Sequence, residues 1–174
     1  MTPENGHNTP RKEQFGRAIR LLHAGRSEEA ATLLVSLHEQ APHDVEVALN
    51  LGGAYILQQR YEEAVEVLEP ATRLAPESAH LWVNLAAAHL GLLEESNDAQ
   101  QERAISAYEQ ALTANPDAPN VHYMLGLIYR SRKENLRATA HFTRALEQDP
   151  TDNDARRMLA AGADSSDEGD ISDG

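Results

Sequence analysis

Four prolines divide the chain into segments of similar length. Pro42, Pro76, Pro116 and Pro150 are separated by 34, 40 and 34 residues. Before each proline lie three apolar residues at offsets that place them on one helical face. The sets are Ala64, Leu68, Ala71; Ala104, Tyr108, Ala111; Ala138, Phe142, Ala145; and a weaker copy, Ala30, Leu34, Leu37. The proline can end that helix and begin the next turn. Such a period predicts stacked helical units.

A second helix precedes each of these helices. The best copies of its pattern are Leu51-Gly52-Tyr55 and Leu125-Gly126-Tyr129, and the intermediate copy is Trp82-Leu85-Ala86-His89. The small residues of the pattern allow neighbouring helix backbones to approach, and the aromatic residues fill the space between them. The repeating unit is therefore predicted to be helix, short turn, helix. One such pair cannot bury its apolar faces alone, so the units must stack.

The unit resembles the tetratricopeptide repeat (TPR), with W-x-x-L-G-x-x-Y followed by alanine, an aromatic residue, alanine and proline. The resemblance implies an all-α helical-repeat solenoid: a right-handed superhelix of antiparallel helix pairs. The predicted TPR domain is 9–161, with units 11–44, 45–78, 79–118 and 119–152 and a short C-terminal capping helix, 153–161. The first unit has Gln14 and Arg17 where Trp and Leu are expected, which suits an N-terminal cap.

The remaining segments are assigned from polarity and from helix signals. Residues 1–8 and the acidic 162–174 are predicted to be disordered. Thr9-Pro10 is predicted to begin the first helix, Asp44 and Ser78 to cap later helices, and Gly162 to end the capping helix. Gly25 suits a tight turn. Six extra residues in the third unit, near 92–99, are interpreted as a surface insertion, with an additional contact edge as the alternative.

Composition limits the function. The chain has 15 basic and 28 acidic residues, a net charge of −13, which argues against nucleic acid and anionic membranes as partners. It has no cysteine, so disulfides and thiolate chemistry are excluded. The polar stretch 1–14 predicts no signal peptide, and no apolar run predicts a spanning helix. We expect a cytoplasmic protein.

No pattern of catalytic or metal-binding residues is found. The eight histidines do not form H-E-x-x-H or another recognised metal spacing, and no phosphate-binding glycine loop is present. His89 and His122 replace motif aromatics and are interpreted as packed between helices. We therefore expect no catalytic residues, no metal and no cofactor, and a protein that is not an enzyme, although fold alone does not decide this.

The resemblance also implies a binding surface. In TPR arrays the first helix of each unit lines a concave groove, and the groove positions carry over residue by residue. The predicted partner-binding residues are Phe15, Ile19, Leu49, Asn50, Gly53, Ile56, Val83, Asn84, Ala87, Leu90, Asn120, Tyr123, Leu127 and Arg130, with Leu22, Leu57, His80 and Met124 at further groove positions. Most are apolar, which favours an amphipathic helix or a hydrophobic segment. The alternative is that some of them bury against the array itself.

One TPR subclass binds the C-terminal carboxylate of chaperones through a clamp of Lys, Asn, Asn, Lys and Arg. Asn50 and Asn84 match that clamp. The other positions do not, since they hold Phe15, Leu49, His80, Asn120 and Met124. We predict no carboxylate clamp.

The predicted function is a non-catalytic protein–protein interaction module: an adaptor, scaffold or assembly factor that binds a peptide or helix of another protein. Two alternatives remain, a small acidic chaperone for an aggregation-prone client and a self-associating structural protein. The second alternative would use segregated charge, which could equally orient a partner or simply solvate exposed helical faces. Residues 61–118 hold eleven acids and only Arg73 and Arg103, whereas 130–144 holds five bases and Glu134. Ser165, followed by Glu168, resembles an acidophilic-kinase site.

Overall fold

The computed structural model describes residues 8–164, and side chains from Pro10 to Ala161. The disorder predicted for 1–7 and 165–174 lies outside these residues. The described part is all-α, and its helices are α1 (Asn8–His23), α2 (Ser27–Gln40), α3 (Val45–Leu57), α4 (Tyr61–Leu74), α5 (Ala79–Leu90), α6 (Asp98–Ala114), α7 (Val121–Ser131), α8 (Asn135–Gln148) and α9 (Asn153–Asp164). None of these described helices combines the length and apolarity needed to cross a membrane.

Apart from its repeats, the described chain divides into two compact units: unit 1 contains α1 to α6, and unit 2 contains α7 to α9. Within each unit, every helix packs against the helix that follows it in the chain. The predicted helix pairs are therefore present as α1–α2, α3–α4, α5–α6 and α7–α8. The all-α helical-repeat fold predicted from the proline spacing is confirmed.

The second helix of each pair buries the face that the repeat pattern identified. Leu34, Leu68, Tyr108 and Phe142 occupy the same position in α2, α4, α6 and α8, and each is at most 2% exposed. The alanines around them are also buried. Complete burial of side chains this large supplies about 1.5–3 kcal/mol each, so these four residues are the main apolar anchors of the pairs.

Small residues in the first helices make room for these anchors. A Cβ added to Gly52 would lie 2.4 Å from Cγ of Leu68, and one added to Gly126 would lie 2.6 Å from the ring of Phe142. Ala86 is fully buried at the corresponding position of α5. The glycines of the repeat are therefore required by close packing between helices.

The four marker prolines occupy equivalent turns between pairs. In each turn, the residue two positions after the proline donates its backbone N–H to the carbonyl of the residue directly before the proline, over 3.0–3.1 Å. The turns are 41–44, 75–78, 115–118 and 149–152. Proline is favoured at the second position of such a turn because its fixed φ suits that position.

A different turn closes three of the four pairs. Gly25, Gln59 and Lys133 have φ of 73°, 59° and 61°, in the left-handed region. The next residue in each case donates its backbone N–H over 2.9 Å to a carbonyl five residues back, which satisfies a terminal acceptor of the preceding helix. Glycine is the least strained residue in this conformation, so the backbone strain of the turn is smallest at Gly25.

The third pair departs from this pattern because of the predicted insertion. Gly91 follows α5 with a φ of 60° and ψ of −134°, and a 3₁₀ turn occupies Leu93–Glu95 before α6 begins at Asp98. α6 has 17 residues, whereas α2, α4 and α8 have 14 each. The extra residues thus form a longer connection and about one additional helical turn.

Several local predictions need correction. α1 already includes Asn8, so Thr9-Pro10 lies within its first turn, where proline is tolerated because that N–H lacks a helical partner. α9 continues through Gly162 to Asp164, beyond the predicted end at 161. A glycine inside a helix costs only about 1 kcal/mol, so Gly162 alone does not end it.

The capping predictions had mixed outcomes. The Asp44 side chain accepts hydrogen bonds from the backbone N–H groups of Glu46 and Val47, as expected of a cap. Ser78 holds the cap position of α5 but makes no capping side-chain bond.

Trp82 is only half-buried, and its indole N–H donates to the carbonyl of Pro76 over 2.8 Å. Its burial therefore contributes less than that of Phe142.

Candidate functional site

An open groove lies on the face formed by the first helices of unit 1. It encloses about 390 Å³ between α1, α3 and α5. Its apolar lining is Leu22, Leu49, Gly53, Ile56, Leu57 and Ala87, and its polar lining is Asn50, His80 and Asn84. Leu22, Leu49 and Ile56 pack against the hydrophobic core on one side and are partly exposed on the other. This surface combines apolar area with a few polar groups, as ligand-binding clefts do.

The structure brings six of the predicted partner-binding residues together here: Leu49, Asn50, Gly53, Ile56, Asn84 and Ala87. It also places Leu57 beside them, and that side chain is 66% exposed at the end of α3. A leucine this exposed makes few contacts within the chain, so a partner can cover it without disturbing existing packing. Leu57 is therefore the residue of the groove best placed to gain from burial.

The two asparagines of the groove already make internal hydrogen bonds. Asn50 donates from Nδ2 to the Glu46 carbonyl over 2.8 Å within α3. Asn84 donates from Nδ2 to the Leu49 carbonyl over 3.4 Å, and so links α5 to α3. Each amide has a second hydrogen and an acceptor oxygen. The internal bonds thus fix the orientation of both side chains and leave further hydrogen-bonding capacity for a bound chain.

A second concavity of about 460 Å³ lies beside the start of α1, and Phe15 lines it together with Leu37 and Val47. Its charged residues include Arg11 and Asp44, whose side chains lie 2.5 Å apart. Burial alone would raise the pKa of Asp44. The Arg11 hydrogen bond and the backbone N–H groups of Val47 and Glu46 outweigh it, so the pKa is lowered. Asp44 is thus held ionised as a cap and as a link between α1 and α3.

The remaining residues predicted in unit 1 behave differently from one another. Ile19 and Val83 are half-buried on α1 and α5. Leu90 is only 2% exposed and belongs to the core. Its prediction as a partner-binding residue is not supported, because a side chain this buried offers almost no surface to a partner.

The predicted residues of unit 2 form their own surface. Asn120 and Tyr123 line a concavity of about 280 Å³ together with Asp117, Asp149 and Asp152. The Tyr123 ring lies 5.9 Å from that of Phe142, and Leu127 is half-buried. Arg130 is exposed, its guanidinium contacts Met158, and it lies 6.0 Å from the Phe142 ring. This surface is acidic at one end and basic at the other.

One perturbed histidine, His141, was not singled out by its sequence context. Nδ1 of His141 lies 3.0 Å from Nδ1 of His122, and its ring stacks on Tyr129 at 5.4 Å. Burial lowers the pKa of both histidines. Arg144 lowers that of His122 further, against an opposing effect of Glu147, and His122 followed by Arg137 lowers that of His141. Burial likewise lowers the pKa of His89. Among the described side chains, no three His, Asp or Glu residues converge as a metal site would require.

Comparison of the sequence with models of known protein families supports the predicted repeat. Models described as "Tetratricopeptide repeat" match residues 21–88 and 98–153, which together make up most of the sequence. The chain belongs to the tetratricopeptide-repeat family. TPR domains are generally non-catalytic, and family membership places this chain among protein–protein interaction scaffolds.

The relatives of this TPR chain are distant. It is 27% identical over 169 residues to the Homo sapiens protein O-mannosyl-transferase TMTC3. The aligned region covers 89% of this chain but only 17% of that protein. The chain therefore spans only a minor part of that relative, and the transferase name belongs to that protein alone.

Two solved structures share the TPR fold. The crystal structure of MamA has a TM-score of 0.76 at 21% identity and covers 86% of this chain and 84% of MamA. The crystal structure of the APC/C hetero-tetramer Cut9-Hcn1 has a TM-score of 0.75 at 21% identity, over 86% of this chain and 29% of that one. At these identities the similarity shows the fold alone.

Proposed function

We propose that this TPR chain is a non-catalytic adaptor that binds an amphipathic helix or apolar segment of another protein in the groove between α1, α3 and α5. The observation that carries the proposal is the apolar lining of that groove, with Leu57 66% exposed at its rim. Covering a leucine side chain supplies about 1.5–3 kcal/mol. We further propose that the protein acts in the cytoplasm.

The polar groups of the groove support the same occupant. Asn50, His80 and Asn84 lie among the apolar side chains, and no Lys or Arg lines this groove. An amphipathic helix presents one apolar face with polar residues at its margins, and it reads a groove through anchors at helical spacing. A cationic lining, as a carboxylate clamp needs, is missing from the described groove residues.

The test is a selection of displayed amphipathic helical peptides on the wild-type chain, followed by calorimetric titration of the best binders. Leu57→Glu and Leu49→Glu place a carboxylate in the groove, and each should weaken binding at least about tenfold, or about 1.4 kcal/mol. Leu74→Glu is the matched control, since Leu74 is 51% exposed at the end of α4, outside the groove lining. It should leave the affinity unchanged.

Circular dichroism must show that all three variants fold. Peptides that bind both groove variants as tightly as the wild type would refute the groove as the binding site. Equal losses in Leu57→Glu and Leu74→Glu would mean that the negative charge itself, rather than its position, weakens binding. A fluorescent fusion of the full chain tests the proposed cytoplasmic location.

A further inference from the structure

An exposed basic surface with an apolar centre lies at the turn between α7 and α8. Leu136, in the first turn of α8, is 90% exposed; Lys133 lies three residues before it, and Arg137 directly follows it. We call Lys133, Leu136 and Arg137 the basic turn surface. Glu134 is the one acid of this stretch of sequence, and it lies 2.8 Å from Arg132 and 2.9 Å from Arg137. One carboxylate shared by two guanidinium groups leaves the surface cationic.

The course of α9 brings the end of the described chain to this surface. α9 follows α8 after a four-residue turn and packs against it. Gln148, at the end of α8, donates to the carbonyl of Pro116, so the start of α9 lies near the beginning of α7. Met158, halfway along α9, contacts Arg130 near the end of α7. α9 therefore runs toward the α7–α8 turn, and its last six residues advance about 9 Å further.

The sequence after α9 is complementary to the basic turn surface. Residues 165–174 contain four acids, Asp167, Glu168, Asp170 and Asp173, and no base. Their one large apolar residue is Ile171, which stands between acids. Ten residues reach at most about 33–36 Å, which is ample for a return to the start of α8.

We propose that residues 165–174 bind the basic turn surface of their own chain, with Ile171 covering Leu136 and acidic side chains facing Lys133 and Arg137. Three effects favour this contact: opposite charges, burial of an otherwise solvated leucine, and the positive end of the α8 dipole. The contact is largely electrostatic and exposed, so salt should weaken it.

The test uses paramagnetic broadening in the full chain. The sequence has no cysteine, so Ser172→Cys can be labelled with a nitroxide at a single position that leaves Ile171 intact. Amide signals of residues 132–137 should lose roughly half or more of their intensity at about 0.1 M ionic strength. They should recover at about 1 M, where the Debye length falls from about 10 Å to about 3 Å.

A pair of matched variants isolates the surface. Arg137 and Arg144 lie on the same helix, are 66% and 68% exposed, and each pairs with a glutamate three positions away, at 2.9 and 2.7 Å. Arg137→Glu should abolish the broadening, whereas Arg144→Glu should preserve it. Leu136→Ser should weaken it.

Broadening that is absent, strongest elsewhere, or insensitive to Arg137→Glu would overturn the proposal. A mixture of isotope-labelled chain without nitroxide and unlabelled chain with nitroxide detects contact between copies. Broadening of residues 132–137 in that mixture would assign the surface to a second copy and overturn the intramolecular contact.

Discussion

The α3–α4 and α7–α8 pairs use the same interior and opposite surfaces. At corresponding positions, 74 residues apart, both have a glycine against a buried side chain, Gly52 and Gly126, and the same buried aromatic, Tyr55 and Tyr129. At the start of the second helix, Arg60 pairs with Glu63 in one, and Glu134 with Arg137 in the other. The buried positions therefore determine the hairpin, and the exposed positions vary without altering it.

The largest test of this equivalence is removal of the anchors. Leu68→Ala should cost about 2–5 kcal/mol and Phe142→Ala about 3–5 kcal/mol, because both side chains are fully buried. Urea unfolding measures both values, and the exposed Leu136→Ala should stay within about 0.5 kcal/mol of the wild type. A loss below about 1 kcal/mol for either anchor would contradict the shared interior.

A proline distinguishes the second helices of the two pairs. Pro70 lies exposed inside α4, where α8 has Arg144. Proline removes a helical N–H donor and clashes with the preceding turn, at a cost of up to about 3 kcal/mol relative to alanine. Pro70→Ala should raise the unfolding free energy by roughly 1–3 kcal/mol, whereas Arg144→Ala should change it little. An unchanged or lower stability of Pro70→Ala would show that proline suits that position.

The glycines test the close contact in each pair. Gly52→Ala and Gly126→Ala should each cost about 1–3 kcal/mol, since the new methyl group overlaps Leu68 or Phe142. Gly53→Ala is the control, because its Cβ would lie an ordinary 3.6 Å from Asn84, and it should stabilise α3 by about 0.5–1 kcal/mol. Thermal unfolding of the three variants should show a lower melting temperature for Gly52→Ala and Gly126→Ala and a higher one for Gly53→Ala.

The helix starts differ as well, since α3 is capped by Asp44, and Asn120 at the start of α7 makes no capping bond. Asp44→Ala should cost about 1–2 kcal/mol. Because the pKa of Asp44 is lowered in the folded chain, its ionic contribution is present above the unfolded value, about 3.9, and is lost as pH falls below it. Asp44→Asn should therefore be less stable than the wild type at pH 7 and approach it in acid. A gap that persists in acid would contradict the role of the charge.

The smallest difference expected is in pH dependence. His122 and His141 of the second pair stand where the first has Ala48 and Val67. Their pKa values are lowered in the folded chain, so the unfolded chain binds more protons, and stability falls as pH drops through about 6.5. The variant His122→Ala/His141→Val should remove this part of the pH dependence. Urea midpoints from pH 7.5 to 5.5 measure it, and parallel curves would contradict it.

The sequence allowed the repeat to be predicted because its signals are local and steric. Each glycine, alanine and aromatic residue of the motif occupies a position that tolerates few alternatives, as Gly126 against Phe142 shows. The first helix seemed to depart from the motif at Gln14 and Arg17. Ala18 and Leu21 nevertheless keep its small and large buried positions, at 0% and 8% exposure.

The groove was less predictable. Position in the motif placed Leu49 and Asn84 on the groove, yet it also assigned Leu90, whose side chain is buried in the core. The hydrogen bond from Asn84 to the Leu49 carbonyl depends on the spacing of two helices, which one sequence does not specify. The exposure of Leu136 could not be predicted either, because an apolar residue in a helix is ordinarily assigned to the buried face.

The packing of each helix against the next along the chain also bears on synthesis of the protein. A ribosome takes roughly 2–7 s to add a repeat of 34 residues, whereas contacts between neighbouring helices form in microseconds to milliseconds. Within α1 to α6, each helix finds its partner as soon as the following one emerges. The nascent chain is therefore expected to expose the apolar face of only the helix pair that emerged last, because each earlier pair has time to pack before the next one emerges.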